Sequence, residues 1–233
     1  MTADQALAIR SEVTRATQRL LGDTITVTDS EWSGPSLLPE WSRALVASHL
    51  ARNADALGRL LHGAATGVPA PMYDSEDQRD AEILAGGERG GLELQEDLDT
   101  SAERLGEALD AVLHGGHGES PVTLRDGRQL PARMLATARL AEVVLHHVDL
   151  DIGYRLDEVD SPTAGTLLEW AAARMEAKPE MPAVVLSFDN RVLQIGESAT
   201  LEVSGTPQAV LGWLTGRDGG PVDGADGITL PGY

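Results

Sequence analysis

The chain of 233 residues has 18 Lys plus Arg residues against 37 Asp plus Glu residues, so its formal net charge is −19. This charge argues against nucleic acid or an anionic membrane as a partner, because both bind positively charged protein surfaces. It leaves open a small anionic substrate, which a single buried arginine can bind. The absence of cysteine excludes disulfides, thiolate metal ligands and a cysteine nucleophile. A metal site must therefore use His, Asp or Glu, and thiol chemistry must take its thiol from a separate molecule.

Neither a membrane span nor a signal peptide is predicted. No segment approaches the roughly 18 uninterrupted apolar residues that cross a bilayer. The first residues, MTADQALAIRSEV, lack the basic start and apolar core of a secretory signal. We expect a soluble, cytoplasmic protein that is a monomer or a small homo-oligomer.

Helical patterns dominate the first two thirds of the chain. Thr2 and Gln5 form a capping-box pattern at the start of the first helix. Four helical segments are predicted, at about residues 2–21, 39–63, 75–114 and 132–152, and the sequence AGGERGG weakens the third. A loop with a short hairpin around Asp126 and Gly127 precedes the fourth. This order is typical of a four-helix bundle with one or two long crossovers, which we assign to residues 1–154.

The pattern changes after about residue 155. A helix in SPTAGTLLEWAAARME is followed by two alternating segments that predict a hairpin around Asp189 and Asn190. A further strand, ATLEVSG, precedes a helix with Thr206 as its N-cap and Pro207 at its first position. We therefore predict an α+β fold, in which a smaller α/β domain at residues 155–233 follows the helical bundle.

A polar stripe runs along the fourth helix, in the otherwise apolar sequence ARLAEVVLHHVDLD. At about 100° per residue, Arg139, Glu142, His146 and Asp149 fall on one face, whereas His147 points away. Such a stripe is typical of a solvent-exposed face with side-chain pairs at i,i+3 and i,i+4. It also suits a metal site, because Glu142 and His146 present a carboxylate and an imidazole one turn apart. The helix alone leaves both interpretations open.

His49 lies on the apolar stripe of the second helix, together with Leu45 and Leu60. A buried imidazole needs a polar partner, because an unsatisfied polar group inside a protein is destabilising. A backbone carbonyl or a water molecule can be that partner. The alternative is a metal shared with Glu142 and His146, since metal sites in bundles form from inward-facing residues of facing helices. Three N and O ligands would leave an open position, as in catalytic zinc sites.

Four segments carry a family resemblance; in chain order they are SLLPEWSRALVASHLARNADAL, PMYDSEDQRDAEI, EVVLHHVDLDIGY and GWLTGR. They are similar to the mycothiol-dependent maleylpyruvate isomerases, which belong to the DinB-like metal-binding four-helix bundles. The resemblance covers nearly the whole chain, and the C-terminal part resembles sterol-carrier-like α/β folds. It implies a zinc ion held by His49, Glu142 and His146, and it places a functional arginine at Arg217.

The resemblance also implies a reaction, the cis-to-trans conversion of maleylpyruvate to fumarylpyruvate in gentisate breakdown. Mycothiol, bound at the zinc with a lowered pKa, would add to the carbon–carbon double bond as a thiolate. The resulting single bond would rotate and the thiolate would leave. In this scheme Arg217 binds a substrate carboxylate and stabilises the enolate. The alternative role of Arg217 is that of a cation that complements a helix dipole.

Three further site residues enter through the same resemblance. Asn53 is assigned to the catalytic site, and Asp149 and Tyr73 are assigned to cofactor binding. Asn53 and Asp149 would orient the metal ligands, and Tyr73 would line the cleft. The alternatives are a helix–helix hydrogen bond for Asn53, a charge near the helix end for Asp149, and packing for Tyr73.

Two other functions stay open at this point. The first is a thiol S-transferase that adds mycothiol, ergothioneine or another small thiol to other electrophiles. The second is a non-catalytic protein that binds a metal in a regulatory or scaffold role. The metal is also open, because two histidines and a glutamate suit iron, nickel or cobalt as well as zinc.

Overall fold

The structure is a computed structural model that describes all 233 residues, and it contains eight α-helices and five β-strands. The chain divides into two compact units, Met1–Gly153 and Tyr154–Tyr233. The first is almost entirely helical, and the second combines two helices with a small sheet. The predicted α+β fold class is thereby confirmed. No helix is both long enough and apolar enough to cross a membrane.

Four long helices build the first unit, and two short ones accompany them. The helices are α1 (Ala3–Thr24), α2 (Asp29–Trp32), α3 (Arg43–Thr66), α4 (Glu76–Gly86), α5 (Gly91–His114) and α6 (Leu135–Asp149). A two-stranded antiparallel hairpin, β1 (Pro121–Thr123) with β2 (Gln129–Pro131), precedes α6 and turns at the predicted position. A 3-10 turn at Ala132–Met134 leads from this hairpin into α6.

The core of the bundle lies between α1, α3, α5 and α6, and it consists mainly of leucine, alanine and valine. Leu50, Leu61, Leu109 and Leu135 are among its fully buried side chains. Each buried side chain of this size contributes about 1.5–3 kcal/mol relative to an exposed one. The many small residues among them allow the helices to approach closely, which brings polar groups on neighbouring helices within hydrogen-bond distance.

The third predicted helical segment is two separate helices. The chain leaves the helical conformation in the glycine-rich AGGERGG sequence, so that α4 ends at Gly86 and α5 begins at Gly91. Helix α4 packs against α3, where the Ser48 hydroxyl donates a hydrogen bond of 2.9 Å to the carbonyl of Ile83. Ser48 is therefore fully buried, because α4 covers its side of α3.

Local capping signals set most helix ends in the first unit. The capping box of Thr2 and Gln5 is present, as predicted. Helix α3 begins later than predicted, at Arg43, because the Ser42 side chain accepts the hydrogen bond from the Leu45 N–H and acts as the N-cap. It ends at Gly67, whose φ of 74° is the left-handed conformation that glycine adopts without strain.

The second unit contains α7 (Ser161–Glu176), β3 (Val184–Phe188), β4 (Arg191–Ile195), β5 (Leu201–Ser204) and α8 (Pro207–Thr215). The sheet order is β4-β3-β5, with β3 antiparallel to β4 and parallel to β5. Asp189 and Asn190 form the predicted two-residue turn, and both have positive φ angles, as a hairpin turn of this kind requires. Thr206 caps α8, and Pro207 occupies its first turn.

Candidate metal centre

Three side chains from α3 and α6 converge on one point inside the bundle. The Nε2 atom of His49 lies 3.0 Å from Oε2 of Glu142, and Nε2 of His146 lies 3.4 Å from the same oxygen. The potential ligand atoms of the three residues all lie within 4.8 Å of one another. The two imidazole rings are nearly perpendicular, with an interplanar angle of 86°. Two nitrogens and a carboxylate oxygen thus face a common centre.

This donor set fits a divalent metal ion. His, Glu and His are ligands that zinc uses in catalytic sites, where three protein donors leave a further position open. The side chains of His49, Glu142 and His146 are between 12% and 19% exposed, so the centre is largely shielded from solvent. Glu142 interacts with both imidazoles, so the three donors are turned toward each other.

Asp149 supports this arrangement from the last turn of α6. Its Oδ2 atom lies 2.8 Å from Nδ1 of His146, while its side chain is almost fully buried. A proton on Nδ1 leaves the Nε2 lone pair of His146 free to face the centre. A carboxylate that orients a histidine in this way is a recurring feature of protein metal sites.

The three groups of the centre shift each other's pKa values. Burial opposes ionisation of Glu142, but the hydrogen bonds from His146 and His49 outweigh it and hold the pKa of Glu142 well below its usual range. Burial also disfavours protonated His146, yet Asp149 and Glu142 raise its pKa above the ordinary value. For His49, burial dominates over the attraction of Glu142 and lowers the pKa. The surroundings therefore favour an ionised Glu142, and His146 holds its proton more tightly than His49.

A buried arginine joins the two helices that supply the ligands. Arg139 is 1% exposed, and its Nη1 donates to the Leu50 carbonyl at 2.7 Å and to Asn53 Oδ1 at 2.9 Å. Leu50 follows His49 in the sequence, so this clamp fixes α3 against α6 beside the centre. Burial lowers the pKa of Arg139 to about 10, which leaves the guanidinium charged at neutral pH. The Asn53 amide is thus engaged in a helix–helix hydrogen bond, and its proposed role in catalysis stays a prediction.

The polar stripe of α6 is not a solvent-exposed face. Arg139 and Asp149 are each 1% exposed, and Glu142 and His146 face the interior of the bundle. The other adjacent histidine, His147, is buried on a different side of the helix, where its Nε2 lies 3.2 Å from Oδ2 of Asp23 on α1. The exposed-face interpretation of this helix is therefore wrong.

Tyr73 and Arg79 lie at the same centre. The Nη2 atom of Arg79 lies 3.4 Å from Nδ1 of His49, and its guanidinium carbon lies 5.7 Å from the centre of the Tyr73 ring. Burial raises the pKa of the Tyr73 hydroxyl, against the opposing effect of Arg79. Tyr73 was predicted from the sequence as a site residue, whereas Arg79 was not. The available signal was its spacing to Ile83, which puts a charged residue on the packed face of a short amphipathic helix.

Arg217 belongs to the second unit. It follows Gly216, which ends α8 with a φ of 72°, and its backbone N–H donates to the Gly212 carbonyl at 2.8 Å. Its Nη1 atom donates to the Thr215 carbonyl at 2.8 Å, and its guanidinium carbon lies 5.9 Å from the centre of the Tyr233 ring. A cation at the end of α8 complements the helix dipole. The binding of substrate by Arg217 stays a prediction.

The fold and this cluster define a class of protein, helical bundles that carry a His–Glu–His centre and are followed by a small α/β unit. The chain belongs to the mycothiol maleylpyruvate isomerase family, because the profile of the mycothiol maleylpyruvate isomerase N-terminal domain matches residues 13–151. The family resemblance noted in the sequence is thereby confirmed. No curated protein sequence matches the chain significantly.

Two solved structures have a similar fold over the whole chain. One is a crystal structure of the mycothiol-dependent maleylpyruvate isomerase, which shares 25% sequence identity with this chain at a TM-score of 0.85. The other is a histidine-to-alanine mutant of that isomerase, with 24% identity and a TM-score of 0.85. Each comparison covers 100% of this chain and 98% of the other. The two-part architecture is therefore shared along the full length.

Proposed function

We propose that the protein is a metal- and thiol-dependent isomerase that converts maleylpyruvate to fumarylpyruvate with mycothiol as its cofactor. The observation that carries this proposal is the convergence of His49, Glu142 and His146 in a bundle of the mycothiol maleylpyruvate isomerase family. We assign these three residues as the ligands of a zinc ion. The donor set supports this assignment, because it leaves a position for an exogenous ligand.

A divalent ion at this centre would supply Lewis acidity that lowers the pKa of a thiol at the open position. The chain offers no thiol of its own, because it has no cysteine. The nucleophile therefore comes from a small molecule, and the two partners of the protein are a small thiol and a small anionic substrate. A cofactor that has to stay reduced suits the reducing cytoplasm.

The proposed isomerisation needs no oxidant or reductant. The thiolate sulfur forms a bond to one alkene carbon, and the π electrons move onto the conjugated carbonyl as an enolate. The former double bond is now a single bond and can rotate. The returning electron pair restores the double bond in the trans geometry and expels the thiolate. A catalyst for this sequence must hold the substrate carboxylates and stabilise the enolate charge.

The residues of the chain divide these tasks within the proposal. Arg217 binds a substrate carboxylate and stabilises the enolate through its planar pair of N–H donors. Asp149 holds His146 in the tautomer that turns Nε2 toward the centre. Asn53 acts through Arg139, because the contact between them fixes α3 against α6 next to His49.

A panel of small thiols tests the proposal. The zinc-loaded protein is mixed with maleylpyruvate and either mycothiol, ergothioneine or glutathione, and the conversion to fumarylpyruvate is followed by absorbance. We expect isomerisation with mycothiol and loss of activity in His49→Ala. The matched control is His62→Ala, since His62 lies on the exposed side of the same helix and away from the ligand set.

Each outcome of the panel selects one function. Isomerisation that depends on one thiol and on His49 supports the proposal. A stable thiol adduct of other electrophiles, without isomerisation, supports the S-transferase alternative, which needs the same activated thiol but no elimination step. Inertness toward every thiol and electrophile, with metal bound, contradicts both enzymatic functions.

A further inference from the structure

One face of α4 combines packing residues with an arginine. Ile83 and Gly86 are buried against α3, and Ser48 of α3 contacts both. Arg79 precedes them at the i, i+4, i+7 spacing that places three residues on the same side of a helix. The packing of α4 therefore directs Arg79 toward α3 at His49, the neighbour of Ser48. A cation on a packed face destabilises the fold unless an anion or hydrogen-bond acceptors compensate its charge.

The contacts of the partly buried Arg79 are weaker than those of the fully buried Arg139. The Nη1 atom of Arg79 lies 2.6 Å from Oδ1 of Asp80, but the Asp80 side chain is 62% exposed, so water competes for that carboxylate. Its Nη2 has the Nδ1 atom of His49 as a partner at 3.4 Å, which is long for a hydrogen bond. Arg139, in contrast, makes two short bonds, of 2.7 and 2.9 Å, to buried oxygens. The Nη2 contact of Arg79 is one that a carboxylate can replace with a gain in hydrogen bonding.

The contact with Arg79 indicates one tautomer of the His49 imidazole. A guanidinium only donates hydrogen bonds, so Nδ1 of His49 must accept, and the imidazole proton then lies on Nε2, where it faces Glu142.

We propose that Arg79 is a substrate-binding residue, whose guanidinium binds a carboxylate of the anionic substrate beside His49, Glu142 and His146. Tyr73 helps to hold the guanidinium in place, because the centre of its ring lies 5.7 Å from the guanidinium carbon. The strongly acidic chain repels a dicarboxylate on average, so a cation beside the centre favours its capture. The identification of this anion as the substrate rests on the proposed function. The binding of an anion at Arg79 can be measured without turnover.

The test uses maleate, a small cis-dicarboxylate, as the probe. Calorimetric titrations of the zinc-loaded protein compare wild type with Arg79→Gln, Arg79→Lys and Arg125→Gln. Arg125 is the matched control, because it is a half-exposed arginine that pairs with Glu76. Glu76 lies on the same helix as Arg79. We expect Arg79→Gln to weaken maleate binding about 10- to 100-fold, since a charge-assisted bidentate contact is lost. Lysine restores part of the affinity, and Arg125→Gln changes it less than about twofold.

Zinc content and thermal melting of each variant complete the experiment. Unchanged zinc content and melting temperature in Arg79→Gln, with weakened maleate binding, support the proposal. Three results overturn it: no maleate binding by wild type, wild-type binding by Arg79→Gln, or equal losses in Arg79→Gln and Arg125→Gln. If Arg79→Gln has a lowered melting temperature or zinc content, the maleate affinity of Arg79→Lys is the deciding measurement. Full maleate affinity in Arg79→Lys would then contradict a bidentate contact.

Different results would contradict anion binding at Arg79 and thiol-dependent isomerisation. Maleate binding that depends on Arg79, in a protein that isomerises maleylpyruvate with no thiol, leaves the anion site intact and contradicts the function. Isomerisation that is unaffected in KM and kcat by Arg79→Gln leaves the function intact and contradicts the anion site.

Discussion

Asp149 and His146 form a buried pair one turn apart on α6, with Oδ2 of Asp149 2.8 Å from Nδ1 of His146. The pair decides which nitrogen of His146 faces Glu142. Because Nδ1 is held by the carboxylate, Nε2 points at the shared centre, where it lies 3.4 Å from Glu142 Oε2. The orientation of one candidate ligand thus depends on a residue that does not itself reach the centre.

Replacement of Asp149 by Asn tests this dependence. We expect Asp149→Asn to weaken zinc binding about 10- to 100-fold, because the ligand loses the carboxylate that orients it and increases its basicity. Competition with a chromophoric chelator measures the affinity. Asp151→Asn is the control, since Asp151 is an exposed residue just beyond the end of α6 and its carboxylate pairs with Arg43. Equal zinc affinity in the two variants would contradict the orienting role.

The Arg139–Asn53 clamp predicts a coupled loss of stability. Arg139→Met leaves the buried Asn53 amide without its donor, which costs about 1–3 kcal/mol of the free energy of unfolding. We expect Asn53→Leu to cost less in the Arg139→Met background than in wild type, with a coupling of about 1 kcal/mol or more. Urea denaturation of the four proteins of this cycle gives the value. Additive effects would show that the two side chains do not stabilise each other.

The contact between α3 and α4 predicts opposite effects for two glycine-to-alanine changes. A methyl group at Gly86 would overlap the Ser48 hydroxyl and lie 3.0 Å from its Cβ, so Gly86→Ala should destabilise by about 1–3 kcal/mol. Gly58, in the middle of α3, has open space around an added Cβ. Gly58→Ala should be neutral or stabilise by up to about 1 kcal/mol, because alanine favours the helix. Thermal melting distinguishes them, and equal stabilities would contradict the close approach of α4.

Zinc binding should weaken as the pH falls. A raised pKa for His146 means that a proton occupies this ligand at pH values where a free histidine is already neutral. The lowered pKa values of His49 and Glu142 keep those two groups free of competing protons to lower pH. The apparent affinity should therefore decline as pH falls through the pKa of His146, by up to about tenfold per pH unit for one displaced proton.

Chelator competition at a series of pH values measures this decline. Asp149→Asn provides the internal comparison, because the Asp149 carboxylate contributes to the raised pKa of His146. In that variant the decline should begin at a lower pH than in wild type. An affinity that does not change with pH, or that rises on acidification, is incompatible with His146 as a ligand.

Local chemistry made much of the fold predictable from the sequence. The capping box at Thr2, the turn at Asp189 and Asn190, and the cap at Thr206 depend on neighbouring residues alone, and each is present. The start of α3 was misplaced because the pattern includes residues before Ser42 that do not continue the helix. The burial of Ser48 could not be predicted, because its cover comes from a separate helix, which no pattern within α3 can indicate.

The candidate centre shows the same division between local and tertiary information. Helical spacing brought Glu142 and His146 together, and the apolar surroundings of His49 indicated that it needed a partner. Periodicity could not decide whether the α6 stripe was exposed, because that depends on the packing of α3 and on the clamp at Arg139. Arg79 was missed because its importance depends on the contact of α4 with α3. The family resemblance supplied the ligand set that geometry alone left open.

The most direct test of the metal centre is anomalous diffraction at the zinc edge from crystals of the protein grown with zinc. We expect one ion bound by His49, Glu142 and His146 at about 2.0–2.2 Å from each donor atom. Crystals of His49→Ala should show the peak weakened or lost, while those of His62→Ala keep it. A zinc-containing protein without density at these three residues, or with its ion held elsewhere, would show that they are not the metal ligands.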